Sequence, residues 1–147
     1  MKGPDFLGIG MQRAGTSWLF AQLASHPDIW VPPLKEIHYF DVIDPSISIT
    51  SHRYRYHFLS RIKQKAAPLL RPETRPEFFL NSYLDYLRWD LRYFLGKQND
   101  DWYRHLFDPS FTKGRVSGEV TSSYCNVSAD MVRYILTLNP KMKFILI

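Results

Sequence analysis

Residues 6–17 read Phe6-Leu7-Gly8-Ile9-Gly10-Met11-Gln12-Arg13-Ala14-Gly15-Thr16-Ser17 and carry the clearest indication of architecture in the chain. The apolar run at 6–10 is typical of a short buried strand, and the glycine-containing stretch at 10–15 is typical of a loop. The next segment, at 16–25, predicts a helix because Leu19 and Leu23 share one helical face. Together these residues predict a strand, a glycine-rich turn and a helix.

This turn has the features of an anion-binding loop. A helix N-terminus offers unpaired N–H groups and the positive end of the helix dipole, and Thr16 and Ser17 add two hydroxyls there. The nucleoside-triphosphatase pattern G-x-x-x-x-G-K-[ST] is matched at Gly10, Gly15 and Ser17. Thr16, however, stands where that pattern needs lysine, and the positive charge comes from Arg13. The Rossmann pattern G-x-G-x-x-G fails at Arg13, and a structural turn without a ligand stays open as the alternative.

The rest of the chain alternates between predicted strands and helices. Strands are predicted at 37–40, 114–120 and 143–147, with an extended segment at 30–33. Helices are predicted at 52–67, 83–95, 101–107 and 129–138. This alternation indicates an α/β fold with a parallel sheet, and 147 residues are enough for one domain at most.

Composition narrows the class of protein. The 19 basic and 14 acidic residues give a formal charge of +5, and the basic residues are scattered, which disfavours a nucleic-acid partner. The single cysteine, Cys125, excludes an internal disulfide and a cysteine-built zinc site. No apolar run is long enough to cross a bilayer, and the N-terminus lacks the pattern of a signal peptide. We therefore expect a cytoplasmic protein without a membrane span.

Several blocks of sequence together resemble the sulfotransferase domain family. They lie at 12–18, 25–28 and 33–40, and the block at 118–124 resembles a later strand and loop of that family. The resemblance spans 6–147 and implies a three-layer α/β fold with a parallel sheet of the P-loop nucleotide-hydrolase-like type. It also implies transfer of a sulfuryl group from the co-substrate 3′-phosphoadenylyl sulfate to a hydroxyl or amine acceptor, without a metal.

The same resemblance implies roles for particular residues. It places the 5′-phosphosulfate of the donor on Gln12, Arg13, Ala14, Gly15, Thr16, Ser17 and Trp18. Arg13 matches the basic residue of the family loop, which stabilises charge building on the leaving phosphate. Glu36 matches the general base of the glycan-modifying branches, a role for which burial would have to raise its pKa. His38 is an alternative candidate for the base, and a structural role in the predicted strand stays open for it. For Lys35, contact with the sulfate or the acceptor and a surface role both stay open.

Two other functions stay open from the sequence. One is a non-catalytic nucleotide- or partner-binding P-loop fragment, and the other is a P-loop kinase, which the missing lysine disfavours. The chain also stops inside the apolar run at 143–147. In the family, the residues that hold the 3′-phosphate of the donor follow this strand. We therefore expect residues 1–147 to be the N-terminal part of a single sulfotransferase-like domain, with weak donor binding and little turnover alone.

Overall fold

The structure, a computed structural model, describes residues 3–47 and 76–147. The chain divides into two compact units. The first combines Met1–Ile49 with Gln98–Ile147, and the second is Thr50–Lys97. Every residue assigned above to the donor loop or to catalysis belongs to the first unit.

A four-stranded sheet forms the centre of the first unit. Its strands are β1 (Phe6–Ile9), β2 (Ile29–Trp30), β3 (Val116–Val120) and β4 (Lys143–Leu146), in the order β2-β3-β1-β4. All three strand pairs are parallel, and Phe6 lies opposite Gly118 on one side and Lys143 on the other. The predicted α/β fold with a parallel sheet is confirmed. The strand that leads into the candidate loop, β1, is an interior strand.

Helices connect the strands. They are α1 (Thr16–Ser25), α2 (Phe40–Ile43), α3 (Pro76–Leu95, in the second unit), α4 (Asp100–His105), α5 (Pro109–Thr112) and α6 (Ala129–Leu138), with a 3₁₀ helix at Ser122–Asn126. The predictions of helices at 16–25 and 129–138 are confirmed. Ser128 starts α6 as a typical N-cap, because its hydroxyl accepts a hydrogen bond from the N–H of Met131.

The strand predicted at 37–40 is wrong. Ile37 and Tyr39 are buried, which explains the apolar alternation in the sequence. Within residues 3–47 and 76–147, however, the segment pairs with no strand, and Phe40 begins α2. Glu36 and His38 have φ values of 64° and 57°. This left-handed backbone is incompatible with a continuous strand, so the segment is a tight, irregular turn.

Other predicted boundaries shift. The helix predicted from residue 83 begins earlier, at Pro76, and the helix predicted at 101–107 covers Asp100–His105. The strands predicted at 114–120 and 143–147 cover Val116–Val120 and Lys143–Leu146, and the extended segment near residue 30 supplies β2. The helix predicted at 52–67 lies outside the described residues.

Aromatic packing fixes the irregular turn where strand pairing does not. The ring of Tyr103 stacks on that of Tyr39 at 4.9 Å between centroids and meets Phe40 edge-on at 4.7 Å. Phe40 also contacts the ring of Tyr124, 5.3 Å away. All four rings are buried, and such pairs stabilise a fold beyond their buried area. The turn is therefore fastened to α4 and to the 3₁₀ helix.

The second unit contributes α3 to the described residues. Trp89 and Tyr93, one turn apart on this helix, are buried and stack with their ring centroids 5.2 Å apart. Across residues 3–47 and 76–147, no helix has the length and apolar character needed to cross a membrane.

Candidate functional site

The candidate anion loop follows β1 directly and ends in the first turn of α1. A Cβ atom at Gly10 would lie 2.9 Å from the backbone oxygen of Ile147 and 3.2 Å from Thr16 Cγ2, so only glycine fits without a shift. Gly15 precedes α1 with φ of 97°, a conformation that favours glycine. The loop therefore turns sharply from strand to helix, and the first N–H groups of α1 lack partners within the helix at the carboxyl end of β1.

Lys35 reaches this loop from the position just before the irregular turn. Its Nζ atom lies 3.1 Å from Thr16 Oγ1 and 3.0 Å from Ser17 Oγ, and donates to both hydroxyls. The third acceptor is Glu36 Oε1, at 3.1 Å. An ammonium has three N–H donors, so these acceptors account for all of them. Lys35 thus brings an ammonium group from another segment to the loop, which has no lysine at position 16.

Most of the remaining loop residues face solvent, and Ala14 is half-buried. Gln12, Arg13 and Ser17 are exposed, and Trp18 shows 68% of its surface. Arg13 has φ of 69°, so the loop backbone is left-handed at this position too. Among the described residues, no hydrogen bond or ion pair joins Arg13 to Glu36. The structure therefore brings Thr16 and Ser17 into one network with Glu36 and leaves Arg13 outside it.

The carboxylate of Glu36 is surrounded by donors. Its Oε1 atom accepts from Ser122 Oγ at 2.9 Å as well as from Lys35, and its Oε2 atom lies 3.5 Å from His38 Nε2. The interaction with His38 is the largest of several that lower the pKa of Glu36 to about 2, and they outweigh partial burial. The base role assumed a raised pKa, whereas the chain without ligands holds Glu36 firmly as an anion.

His38 lies between two carboxylates. Its Nδ1 atom is 2.6 Å from Asp41 Oδ2, and its Nε2 atom faces Glu36. Burial disfavours the charged ring, but the hydrogen bonds to Asp41 and Glu36 prevail and raise the pKa of His38 to about 9. Ser123 Oγ contacts both Asp41 Oδ2 and the ring nitrogen. At neutral pH the ring is therefore an imidazolium, with no basic nitrogen available.

Three backbone hydrogen bonds hold the turn against the end of β3. The N–H of Glu36 donates to the carbonyl of Val120 at 3.0 Å. The N–H groups of Ile37 and Tyr39 donate to Thr121 Oγ1 at 3.1 Å and to the Tyr124 hydroxyl at 2.9 Å. Two left-handed residues cost about 1–3 kcal/mol each, and three hydrogen bonds at roughly 1 kcal/mol each offset much of that cost.

A buried carboxyl group lies beneath these anchors. Glu119, the fourth residue of β3, is 1% exposed. Burial raises its pKa to about 7, although hydrogen bonds from Tyr103, Thr121 and Tyr124 act in the opposite direction. The resemblance had drawn attention to the strand end at 118–124. It gave no reason to expect a carboxyl that is shared by three hydroxyl groups.

The sequence favoured a surface role for Lys35 over a sulfate contact, placed Ser122 only near a strand end where ligands gather, and gave no role to Asp41. Lys35 is next to Glu36 in sequence, but its approach to Thr16 depends on how residues 33–37 pack across the start of α1. Ser122 and Glu36 are 86 positions apart. The only signal in the sequence is that each follows or lies near a predicted strand end, where ligands gather in parallel α/β sheets.

Comparison of the chain with models of known protein families, with curated proteins and with solved structures finds no match. The proposals below therefore rest on the sequence motifs and on the geometry of this site.

Proposed function

We propose that the protein is a sulfotransferase that moves a sulfuryl group from 3′-phosphoadenylyl sulfate to a hydroxyl or amine acceptor. One observation carries the proposal most directly. Hydroxyls, a cation and a carboxylate, at Thr16, Ser17, Lys35 and Glu36, form one hydrogen-bonded network at a glycine-rich strand-to-helix turn. The resemblance of the surrounding blocks to the sulfotransferase family supports the same reading, including a sheet of the P-loop type.

The polarity of the network suits an anionic donor. Thr16 and Ser17 accept hydrogen bonds from Lys35, so each hydroxyl keeps its own hydrogen for an oxygen of the phosphosulfate. The first N–H groups of α1 and the helix dipole add to this attraction. Exposed Arg13 supplies a second positive charge at the rim of the loop. In this assignment the 5′-phosphosulfate lies on residues 12–18, with Lys35 beside it.

The reaction needs charge stabilisation and removal of a proton. The acceptor atom forms its bond to sulfur while the bond from sulfur to the phosphate oxygen breaks, and adenosine 3′,5′-bisphosphate leaves with the electron pair. Lys35 and Arg13 stabilise the charge that builds on this leaving group. The proton released by the acceptor passes to Glu36.

Glu36 is a better candidate for the base than His38, because His38 is already protonated at neutral pH. A pKa of about 2 makes Glu36 a weak base before ligands bind. Two changes on binding raise that pKa: the acceptor excludes water from the carboxylate, and Lys35 turns toward the sulfuryl oxygens. The kinase alternative is disfavoured by the Lys35 ammonium, 3.0 Å from the Ser17 hydroxyl that would have to bind magnesium.

The test is sulfuryl transfer from labelled donor by the full-length protein, over a panel of hydroxyl and amine acceptors. Glu36→Gln should bind donor as the wild type does but lose at least a hundredfold in kcat, the usual range for a general base. Asp130→Asn is the matched control, since Asp130 is an exposed acid on α6 whose only described ion pair is with Arg133.

Wild-type turnover by Glu36→Gln would remove the base assignment. Donor binding without transfer to any acceptor would favour the non-catalytic nucleotide-binding alternative over the enzyme.

A further inference from the structure

We propose that Glu119, Thr121 and Tyr124 form a hub that positions Glu36 for catalysis by holding the backbone of residues 36–39. The proposal rests on the proposed function, in which Glu36 is the base. None of the three side chains has to touch a substrate, so each acts as a positioning residue.

The hub is joined by hydrogen bonds whose direction the chemistry fixes. A backbone N–H group only donates, so the Thr121 and Tyr124 hydroxyls accept from the turn and keep their own hydrogens for Glu119. The Thr121 hydroxyl therefore donates to Glu119 Oε2 at 2.8 Å, and the Tyr124 hydroxyl donates to Glu119 Oε1 at 3.2 Å. Each hydroxyl has one hydrogen, and both hydrogens are thereby committed to Glu119.

The same two hydroxyls present their lone pairs to the turn. Thr121 Oγ1 accepts from the N–H of Ile37 at 3.1 Å, and the Tyr124 hydroxyl accepts from the N–H of Tyr39 at 2.9 Å. These two residues flank His38, and Ile37 comes directly after Glu36 in the chain. The buried carboxyl group of Glu119 thus orients two hydroxyls as acceptors, each toward one backbone N–H of the turn.

The turn has a particular need for such anchors. Glu36 and His38 are both left-handed, which is unfavourable for residues with side chains. Without the hub, the backbone can relax toward ordinary φ values, and the carboxylate of Glu36 would move from its present place beside Lys35 and Ser122. A small displacement of a catalytic group is enough to slow a reaction greatly.

Tyr103 provides a matched control. Its hydroxyl also donates to Glu119 Oε1, at 2.5 Å, and it is as deeply buried as Tyr124. None of the backbone contacts described for residues 36–39 involves the Tyr103 hydroxyl. Tyr103→Phe and Tyr124→Phe therefore remove the same atom next to the same carboxyl, but only the second removes an anchor of the turn.

The experiment measures amide hydrogen exchange and turnover in the full-length protein. Thr121→Val should speed exchange of the Ile37 amide at least tenfold, and Tyr124→Phe that of the Tyr39 amide. Glu119→Gln should speed exchange of at least one of the two, since its NH₂ group replaces one carboxyl oxygen and faces the hydroxyl that donates there. Each variant should lower kcat at least tenfold and leave the dissociation constant of adenosine 3′,5′-bisphosphate within twofold. Thr121→Ser, which keeps the hydroxyl, should restore both readouts.

Unchanged exchange at Ile37 and Tyr39, or an equal loss of kcat in Tyr103→Phe, would overturn the hub. If Glu119→Gln does not fold, the Thr121 and Tyr124 variants still give both readouts. If the wild type transfers no sulfuryl group, the proposed function fails, and the positioning of a base fails with it. The exchange data then still report separately whether the hub holds the turn.

Discussion

At the scale of single residues, Lys35 is the strongest addition that the structure makes to the donor loop. Its ammonium lies within 3.1 Å of Thr16, Ser17 and Glu36. Lys35→Gln should therefore weaken donor binding at least tenfold and reduce turnover further, because a positive charge beside a phosphosulfate is lost while the loop backbone is kept. Isothermal titration with the donor and steady-state kinetics measure the two effects.

Lys141→Gln is the control for this substitution, since Lys141 is exposed, next to β4, and carries the same charge. Lys35→Arg should fall between the wild type and Lys35→Gln. A guanidinium keeps the charge, but its five donors lie in one plane and do not match the three acceptors that surround the Lys35 ammonium. Donor affinity equal to the wild type in Lys35→Gln would show that the loop binds its anion without Lys35.

Single residues also show which local features could be predicted from the sequence and which could not. The loop at 10–17 was predictable because glycine spacing, hydroxyls and the following helical periodicity are all local. The turn at 36–39 was not, because burial of Ile37 and Tyr39 imitates a strand while the left-handed φ values of Glu36 and His38 depend on contacts with residues 120–124. The raised pKa of Glu119 has the same origin, since it requires burial that the sequence alone does not reveal.

At the scale of elements, the close approach of β1 and β3 sets the geometry below the site. Phe6 and Gly118 are partners across the two strands, and a Cβ atom at Gly118 would lie 2.5 Å from the Phe6 ring. Gly118→Ala should therefore lower the free energy of unfolding by about 1–3 kcal/mol, the usual cost of overpacking. Urea unfolding measures the change, with donor binding as a second readout because β1 leads directly into the loop.

A double variant isolates the cause of that loss. Phe6→Leu removes the ring atoms that the new methyl group meets, so adding it to Gly118→Ala should cost less than the sum of the two single substitutions. Strict additivity would mean that the ring is not the obstacle. An unchanged unfolding free energy in Gly118→Ala would contradict the packing argument itself.

Whether an element depends on local periodicity or on pairing with a distant strand also explains which elements the sequence predicted correctly. Helices at 16–25 and 129–138 follow periodic apolar residues and end at clear signals, so their bounds were predicted correctly. The two-residue strand Ile29–Trp30 is too short to have a period of its own. It exists because Ile29 and Trp30 pair with Val116 and Ser117, more than 80 residues further along the chain.

At the scale of the whole molecule, the charged groups of the site predict how stability depends on pH. The pKa of Glu36 falls from its usual 4.5 to about 2 on folding. Its contribution to the stability of the fold is therefore complete above pH 4.5 and is lost as the pH falls toward 2. The pKa of Glu119 rises from 4.5 to about 7, so the folded chain holds a proton that the unfolded chain releases, and stability declines between those values. The pKa of His38 rises from 6.5 to about 9 on folding, so stability continues to decline between pH 6.5 and 9.

These three groups together place the greatest stability near pH 4.5, with a fall on either side, and thermal unfolding between pH 3 and pH 9 measures it. Two variants assign the alkaline fall to its sources. Glu119→Gln cannot titrate and should flatten the profile between about pH 4.5 and 7, whereas His38→Gln should flatten it between about 6.5 and 9. An unfolding temperature that rises steadily from pH 5 to pH 8 in the wild type would contradict both assignments, because each requires the folded chain to bind the extra proton.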